Sequence, residues 1–388
     1  MLKKVRIENF RSLKNVNLPL ERNNVLIGPN MAGKSTICDC LRFLTQMAHG
    51  GVNMAITNLG GFAEVAWKGK TDGIIGPISI CTEMDINTDD YNVKTYTYEI
   101  SIIGGPPGIV SIKKEKLTAI DGPESYTLVD INNGKGLATR KDGTVVFNVS
   151  DPTKSFLEYI IPDWEGMIAR KYFSYFRFYR LQPLLMKQPN VIRAESFLTE
   201  TGDNFSSWYL TLLTGYPEEF KKIKQVAKDV FPALEEILVP PTQAGMTFMS
   251  TKEKYLKSPI FIQNMSDGEI VFLAWLSLIF APSSLGAPLY CVEELENHLH
   301  PKLLEVLIEI LKQRQRELGS HAAQVFITTH SPHLIDKCDI EDLIVVGKSD
   351  GETKCMRPSS KSHLRKLLES KELGLGDLWY SGALNITE

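Results

Sequence analysis

Two short β-like patterns open the chain, Leu2–Glu8 and Val16–Leu20, followed by the wholly apolar run VLI at 25–27. A period of two predicts half-buried strands for the first pair. The apolar run predicts a buried strand, interrupted by turn residues from Gly28, after which a helical period begins. From Gly76 to Val149 the two-residue period returns, clearest in YNVKTYTYEISI, with turn signals at GGPPG, NNGKG and KDG. A separate antiparallel lobe is expected there. Helical periodicity takes over from Phe156 to Leu238, clearest in FKKIKQVAKDVFPALEEIL, with prolines at the breaks. Beyond Gln263 the order is helix, apolar strand LYCV, helix PKLLEVLIEILKQRQREL, apolar strand QVFIT and strand DLIVV. That alternation belongs to layered α/β proteins. The expected division is 1–75 and 251–388 as the two parts of one α/β core, 76–150 as a β-rich lobe and 151–250 as a helical insertion.

Composition narrows the class. With 388 residues, 43% hydrophobic and 23% charged, the chain has ample material for a core. A net charge of −3 supplies no global basic field, so any contact with DNA or RNA must be local. The six cysteines form no CxxC pair and no metal-ligand spacing, as expected of a cytoplasmic protein. The longest apolar run, Ile270–Ala281, is too short to span a bilayer, and no membrane partner is expected. Internal repeats and sustained heptads are lacking.

The strongest chemical signal is Gly28-Pro29-Asn30-Met31-Ala32-Gly33-Lys34-Ser35, which fits GxxxxGK[ST] between an apolar strand and a helix. Glycines let backbone N–H groups converge on phosphates, the helix directs its positive end at them, and Lys34 adds a mobile charge. Asn30, Gly33, Lys34, Ser35 and Thr36 are the expected ATP-binding residues, with Ser35 a magnesium ligand. The strand Leu289–Val292 ends in Glu293-Glu294. There P-loop ATPases carry a magnesium-associated acid followed by a catalytic one, so Glu293 is assigned to the metal and Glu294 to the attacking water. His330 follows strand QVFIT, at a carboxyl end where α/β sheets bind ligands, and is expected to contact the γ-phosphate. In Asn264-Met265-Ser266-Asp267-Gly268-Glu269, Ser266 or Asp267 caps an apolar helix and Gly268 permits close backbone approach.

In order along the chain, IENFRSLKNVNLPL, GPNMAGKS, MSDGE, EELENHLHP and TTHSPHLI resemble the ABC-type ATPase heads of the RecF and SMC kind, most of all OLD-family ATPases. The fold implied is an α/β P-loop NTPase of ABC-ATPase head type with an antiparallel β lobe and an inserted helical region. Leu295 stands where the family usually has proline, and the family's Q-loop glutamine has no counterpart, since Gln46 comes too early and 63–83 contains none. The resemblance implies ATP and Mg2+ as cofactors and a head-to-tail homodimer or larger homo-oligomer. In it, Ser266 and Gly268 bind the γ-phosphate held by the other chain's Lys34. His298 and His300 fall where the family's D-loop crosses the dimer interface, although a helix-start role fits them equally. The segments GDNFSSWYLTLL and LGLGDLWYSGAL are also similar to small ATPases of this group.

Spacing sorts the uses of such a head. About 230 residues separate Lys34 from Ser266, far too few for long coiled-coil arms, and a transporter motor has a much shorter interval. Only 58 residues follow His330 (388 − 330), too few for the Toprim nuclease domain of many OLD-family chains, which would need about 100. The expectation is therefore the sensor or regulatory ATPase subunit of an antiphage defence system, controlling a separately encoded effector nuclease. The alternative is a RecF-like DNA-repair ATPase binding nucleic acid directly. Its basis is Arg170, Lys171, Arg177, Arg180, Lys187 and Arg193 interleaved with Tyr172, Phe173 and Tyr175, without acids between 166 and 194.

Overall fold

A computed structural model describes residues 1–69, 76–87, 93–105, 108–358 and 374–380. They form two compact units, one built from 1–176, 324–330 and the segment from 338 onward, the other from 177–323 and 331–337.

The first unit begins with strands β1 (Leu2–Phe10) and β2 (Leu13–Pro19), a hairpin in which Ile7 faces Val16 and Val5 faces Leu18. Strand β3 (Asn23–Ile27) follows, then helices α1 (Lys34–Gly50), α2 (Val52–Asn58) and α3 (Phe62–Val65). Strands β4 (Ile78–Asn87), β5 (Val93–Gly104), β6 (Val110–Asp121), β7 (Glu124–Asn132), β8 (Lys135–Thr139) and β9 (Val145–Val149) form an antiparallel meander, and α4 (Met167–Ser174) closes the segment. The strands expected between 76 and 150 are present, but they are not a separate lobe. Strand β4 pairs with β1, Ile80 facing Ile7, so the meander extends the first hairpin into one eight-stranded sheet ordered β2-β1-β4-β5-β6-β7-β8-β9. The hairpin leaves the other edge of β1 open, and Ile7 and Ile80 put buried side chains on the same face; pairing there removes an exposed edge.

Under that sheet, Tyr98 packs on Phe156 and Phe173 with ring centroids 5.8 and 5.4 Å apart. Glu115, fully buried, accepts from the Tyr98 hydroxyl at 2.8 Å, from the Phe156 N–H at 2.8 Å and from the Ser155 hydroxyl. Burial pushes its carboxyl up to about 7 despite those three donors.

In the second unit come β10 (Arg177–Tyr179), α5 (Pro183–Met186), β11 (Asn190–Val191), α6 (Phe205–Gly215) and α7 (Pro217–Val230). Next are β12 (Leu234–Leu238), β13 (Met246–Thr247), β14 (Ser250–Glu253) and β15 (Ile260–Phe261). Helix α8 (Asp267–Ile279), β16 (Leu289–Glu293), α9 (Pro301–Leu318) and α10 (Pro332–Asp336) complete it. The helical run expected through 238 stops at Val230. Pro232 denies a helix its donor, and Leu234–Leu238 instead pairs antiparallel with β14. Helix α8 is buried on every side from Ile270 to Leu278, and α6 is tied to it. The Trp208 indole donates to Ser277 Oγ at 2.9 Å and the Tyr209 hydroxyl to the Leu273 carbonyl at 2.8 Å.

The chain then returns to the first unit. Strand β3 is flanked by β17 (Gln324–Thr329) and β18 (Leu343–Ser349), both parallel to it, with β19 (Glu352–Met356) antiparallel to β18. Every residue of β17 is buried, as parallel strands require. Helix α11 (Leu375–Tyr380) covers part of the terminal LGLGDLWYSGAL segment, whose remaining residues 373 and 381–384 lie outside the described residues.

Candidate phosphate-binding loop and acidic turn

The loop after β3 is shaped by its glycines. A Cβ on Gly28 would stand 2.1 Å from the Val346 carbonyl oxygen, so strand β18 approaches too closely for any side chain. Gly33, just before α1, has φ +111°, and Met31, with φ +63°, leaves its side chain 86% exposed. Lys34 begins the helix and is buried. Its ammonium donates to the Gly28 carbonyl at 2.8 Å and the Pro29 carbonyl at 3.0 Å, and so lies along the loop. The first helical bond runs from the Ile37 N–H to the Gly33 carbonyl at 3.2 Å, so the amides of the preceding turn are directed out of the helix end. No acid occupies that first turn, and the helix dipole is left to favour an anion. Asn30 and Ser35 are exposed and Thr36 half-buried.

Strand β17 lies beside this loop. Its register with β3 sets Thr329 opposite Ile27, which brings exposed His330 out next to Gly28 at the same carboxyl edge. The donor set of the first unit is thus an ammonium, a hydroxyl, an imidazole and a helix start. Its chemistry suits the anionic oxygens of a triphosphate, and the hydroxyl oxygen suits a magnesium ion bound with it.

The second unit holds the acidic turn and the capped helix. Strand β16 runs parallel to β10, Val292 opposite Tyr179, and ends at half-buried Glu293. Glu294 follows with φ +54°, a left-handed conformation that is costly for a glutamate. Its Oε2 accepts from Asn297 Nδ2 at 2.7 Å, and the Asn297 N–H reaches the Glu294 carbonyl at 2.9 Å. Sequence patterning missed Asn297, because its role depends on a tight turn rather than on spacing.

Ser266 caps α8, its hydroxyl accepting from the Glu269 N–H at 3.2 Å. A Cβ on Gly268 would stand 2.8 Å from the His298 carbonyl oxygen, and the His298 imidazole lies 3.9 Å from Asp267. The helix start and the acidic turn are therefore in contact. Asp267 also pairs with Lys187 at 2.7 Å. Burial, followed by the neighbouring Glu253, raises the Glu269 carboxyl. Of the two histidines, His300 takes the helix-start role: its Nδ1 accepts from the Lys302 N–H at 3.3 Å at the head of α9.

The basic segment 166–194 is mostly committed elsewhere. Tyr172 and Phe173 are buried, while Tyr175 is exposed. Arg170 donates to the Leu157 carbonyl at 2.7 Å, Arg177 stacks 4.4 Å from the Phe197 ring, and Lys187 and Arg193 pair with Asp267 and Glu195. Among the described residues, no helix is long and apolar enough to cross a membrane.

By sequence, residues 1–104 match the family "AAA ATPase domain", and residues 225–336 match the family "AAA domain, putative AbiEii toxin, Type IV TA system". No curated protein matches. Among solved structures the chain is similar to an SMC head bound to the C-winged helix domain of ScpA, with 14% identity, TM-score 0.57 and coverage of 92% of this chain and 99% of that one. It is similar too to an SMC head with an extended coiled coil bound to the C-terminal domain of ScpA derived from Pyrococcus furiosus, with 14% identity, TM-score 0.52 and coverage of 96% and 99%. The protein accordingly has the fold of the P-loop, ABC-type ATPase heads.

Proposed function

We propose that the chain binds Mg-ATP on Gly28–Thr36 and hydrolyses it. The observation carrying this reading is the convergence of Lys34, the unblocked start of α1 and His330 at one sheet edge. In this reading Ser35 and Glu293 serve the magnesium, and Glu294 polarises the attacking water as general base. His330 contacts the γ-phosphate. Ser266 and Gly268 close over the phosphate held by the partner's Lys34, so that two chains pair head to tail and complete each other's sites.

The biological role proposed is that of a regulatory ATPase in an antiphage defence system, acting on a separately encoded effector nuclease. Support comes from the order of motifs and from the toxin–antitoxin wording of the family matched at 225–336. The SMC heads that share this fold are seen holding domains of another protein. The test is solution mass by light scattering of Glu294→Gln with and without Mg-ATP. That change should allow binding while blocking hydrolysis, so a nucleotide-driven doubling is expected. A monomer that takes up ATP and stays monomeric would remove the head-to-tail pairing.

A further inference from the structure

Strand β19 carries a threonine whose position no motif accounts for. Thr353 is 1% exposed and lies against the underside of the phosphate loop. Its Oγ1 is 2.8 Å from the Ala32 carbonyl oxygen and 2.8 Å from Ser12 Oγ, and its N–H donates to the Ser12 carbonyl at 2.8 Å. A carbonyl can only accept and one hydroxyl has one proton, so Thr353 donates to Ala32 and Ser12 supplies the proton of the other bond. On Gly33 a Cβ would meet this same Oγ1 at 2.2 Å.

The consequence follows from peptide planarity. In a trans peptide the carbonyl and the next N–H point in opposite directions. Holding the Ala32 carbonyl toward Thr353 therefore turns the Gly33 N–H away from β19, toward the concave side of the loop. The same strand is fastened to the β1–β2 hairpin next to the turn, through the Lys14–Glu352 ion pair as well as Ser12. Arg11, in that turn, pairs with Asp39 of α1. The hairpin turn thus grips both the loop and the helix that follows it.

We infer that Thr353 is a positioning residue for the phosphate loop, a buried latch that orients the 32–33 peptide for nucleotide and links it to the β1–β2 turn through Ser12. The inference rests on the ATP reading for its ligand, but the latch itself is a property of the free protein.

Two variants separate the hydroxyl from the shape. Thr353→Val keeps the volume and removes both hydroxyl bonds, whereas Thr353→Ser keeps them. Calorimetric titration of the full chain with Mg-ATP should show Thr353→Val weakened about threefold to tenfold, the span of one net hydrogen bond, and Thr353→Ser within about twofold of the parent. Amide exchange on the free proteins should quicken at Ala32 and Ile37, whose N–H groups are bonded to the Pro29 and Gly33 carbonyls, in the valine variant alone, with β5 and β6 unchanged. Equal affinity in parent and valine variant would overturn the inference. So would failure of serine to restore binding, or an equal rise of exchange in β5 and β6, which would make the hydroxyl a general stabiliser. If the parent takes up no Mg-ATP, the ATP reading fails, and the exchange pattern decides the latch by itself.

Discussion

Thr329 stands opposite Ile27 in the parallel pairing of β17 with β3, and this register alone carries His330 to the side of Gly28 across about three hundred residues of chain. A shift of one residue would send every side chain of β17 to the opposite face and would break the bonds that Gln324 makes to the Leu2 N–H and carbonyl, at 2.9 and 2.8 Å, so those bonds and the packing on both faces hold the placement.

His330→Ala therefore tests the site without testing the fold. The side chain is exposed, so the unfolding free energy should change by no more than about 0.5 kcal/mol. Hydrolysis should fall by about 10²-fold if the imidazole stabilises charge on the transferring phosphate. Steady-state phosphate release and thermal unfolding, measured side by side, check both halves.

Gly268→Ala tests the contact between the α8 start and the acidic turn. Alanine is the better helix former by about 0.5–1 kcal/mol, but its Cβ would lie 2.8 Å from the His298 carbonyl, and overpacking of this kind costs about 1–3 kcal/mol. The clash should win, with a lower melting temperature. Nucleotide-driven doubling should weaken further if this surface faces a second chain. A variant as stable as the parent would mean that the turn yields freely.

Glu115 predicts a pH dependence. Its folded-state carboxyl is raised to about 7 from an ordinary value of 4.5, so the folded protein holds a proton that the unfolded chain releases first. The associated stability is fully present below pH 4.5 and is lost as pH rises to about 7, at most about 3 kcal/mol. Glu115→Gln should flatten that slope by about one proton while lowering stability at acid pH by about 1–3 kcal/mol, because an amide nitrogen cannot accept from the donors that the carboxyl satisfies. Urea unfolding at several pH values reads both.

Much of the core was legible because its signals are local. VLI before GPNMAGKS, LYCV before Glu293 and QVFIT before His330 each place an apolar run beside its chemistry, and β3, β16 and β17 lie where those runs predict. Where the reading failed, a long-range partner decided. Residues 234–238 look helical by period but become a strand through pairing with β14, and the 76–150 meander joins β1 because β1 had an edge to fill. Strand β19 escaped notice although Asp350 and Gly351, with φ +51° and +80°, form the turn that a DG pair favours.

The sequence by itself determined the loop, the strand–helix order around it and the residue types that chemistry needs there, since a glycine's freedom and an apolar period act within a few neighbours. Tertiary structure alone decided which distant groups meet: His330 with Gly28 by strand register, His298 with Gly268 by a turn, and Thr353 with Ala32 by the return of an edge strand. Those contacts depend on pairing and close packing between segments far apart in the chain, and no local pattern encodes them.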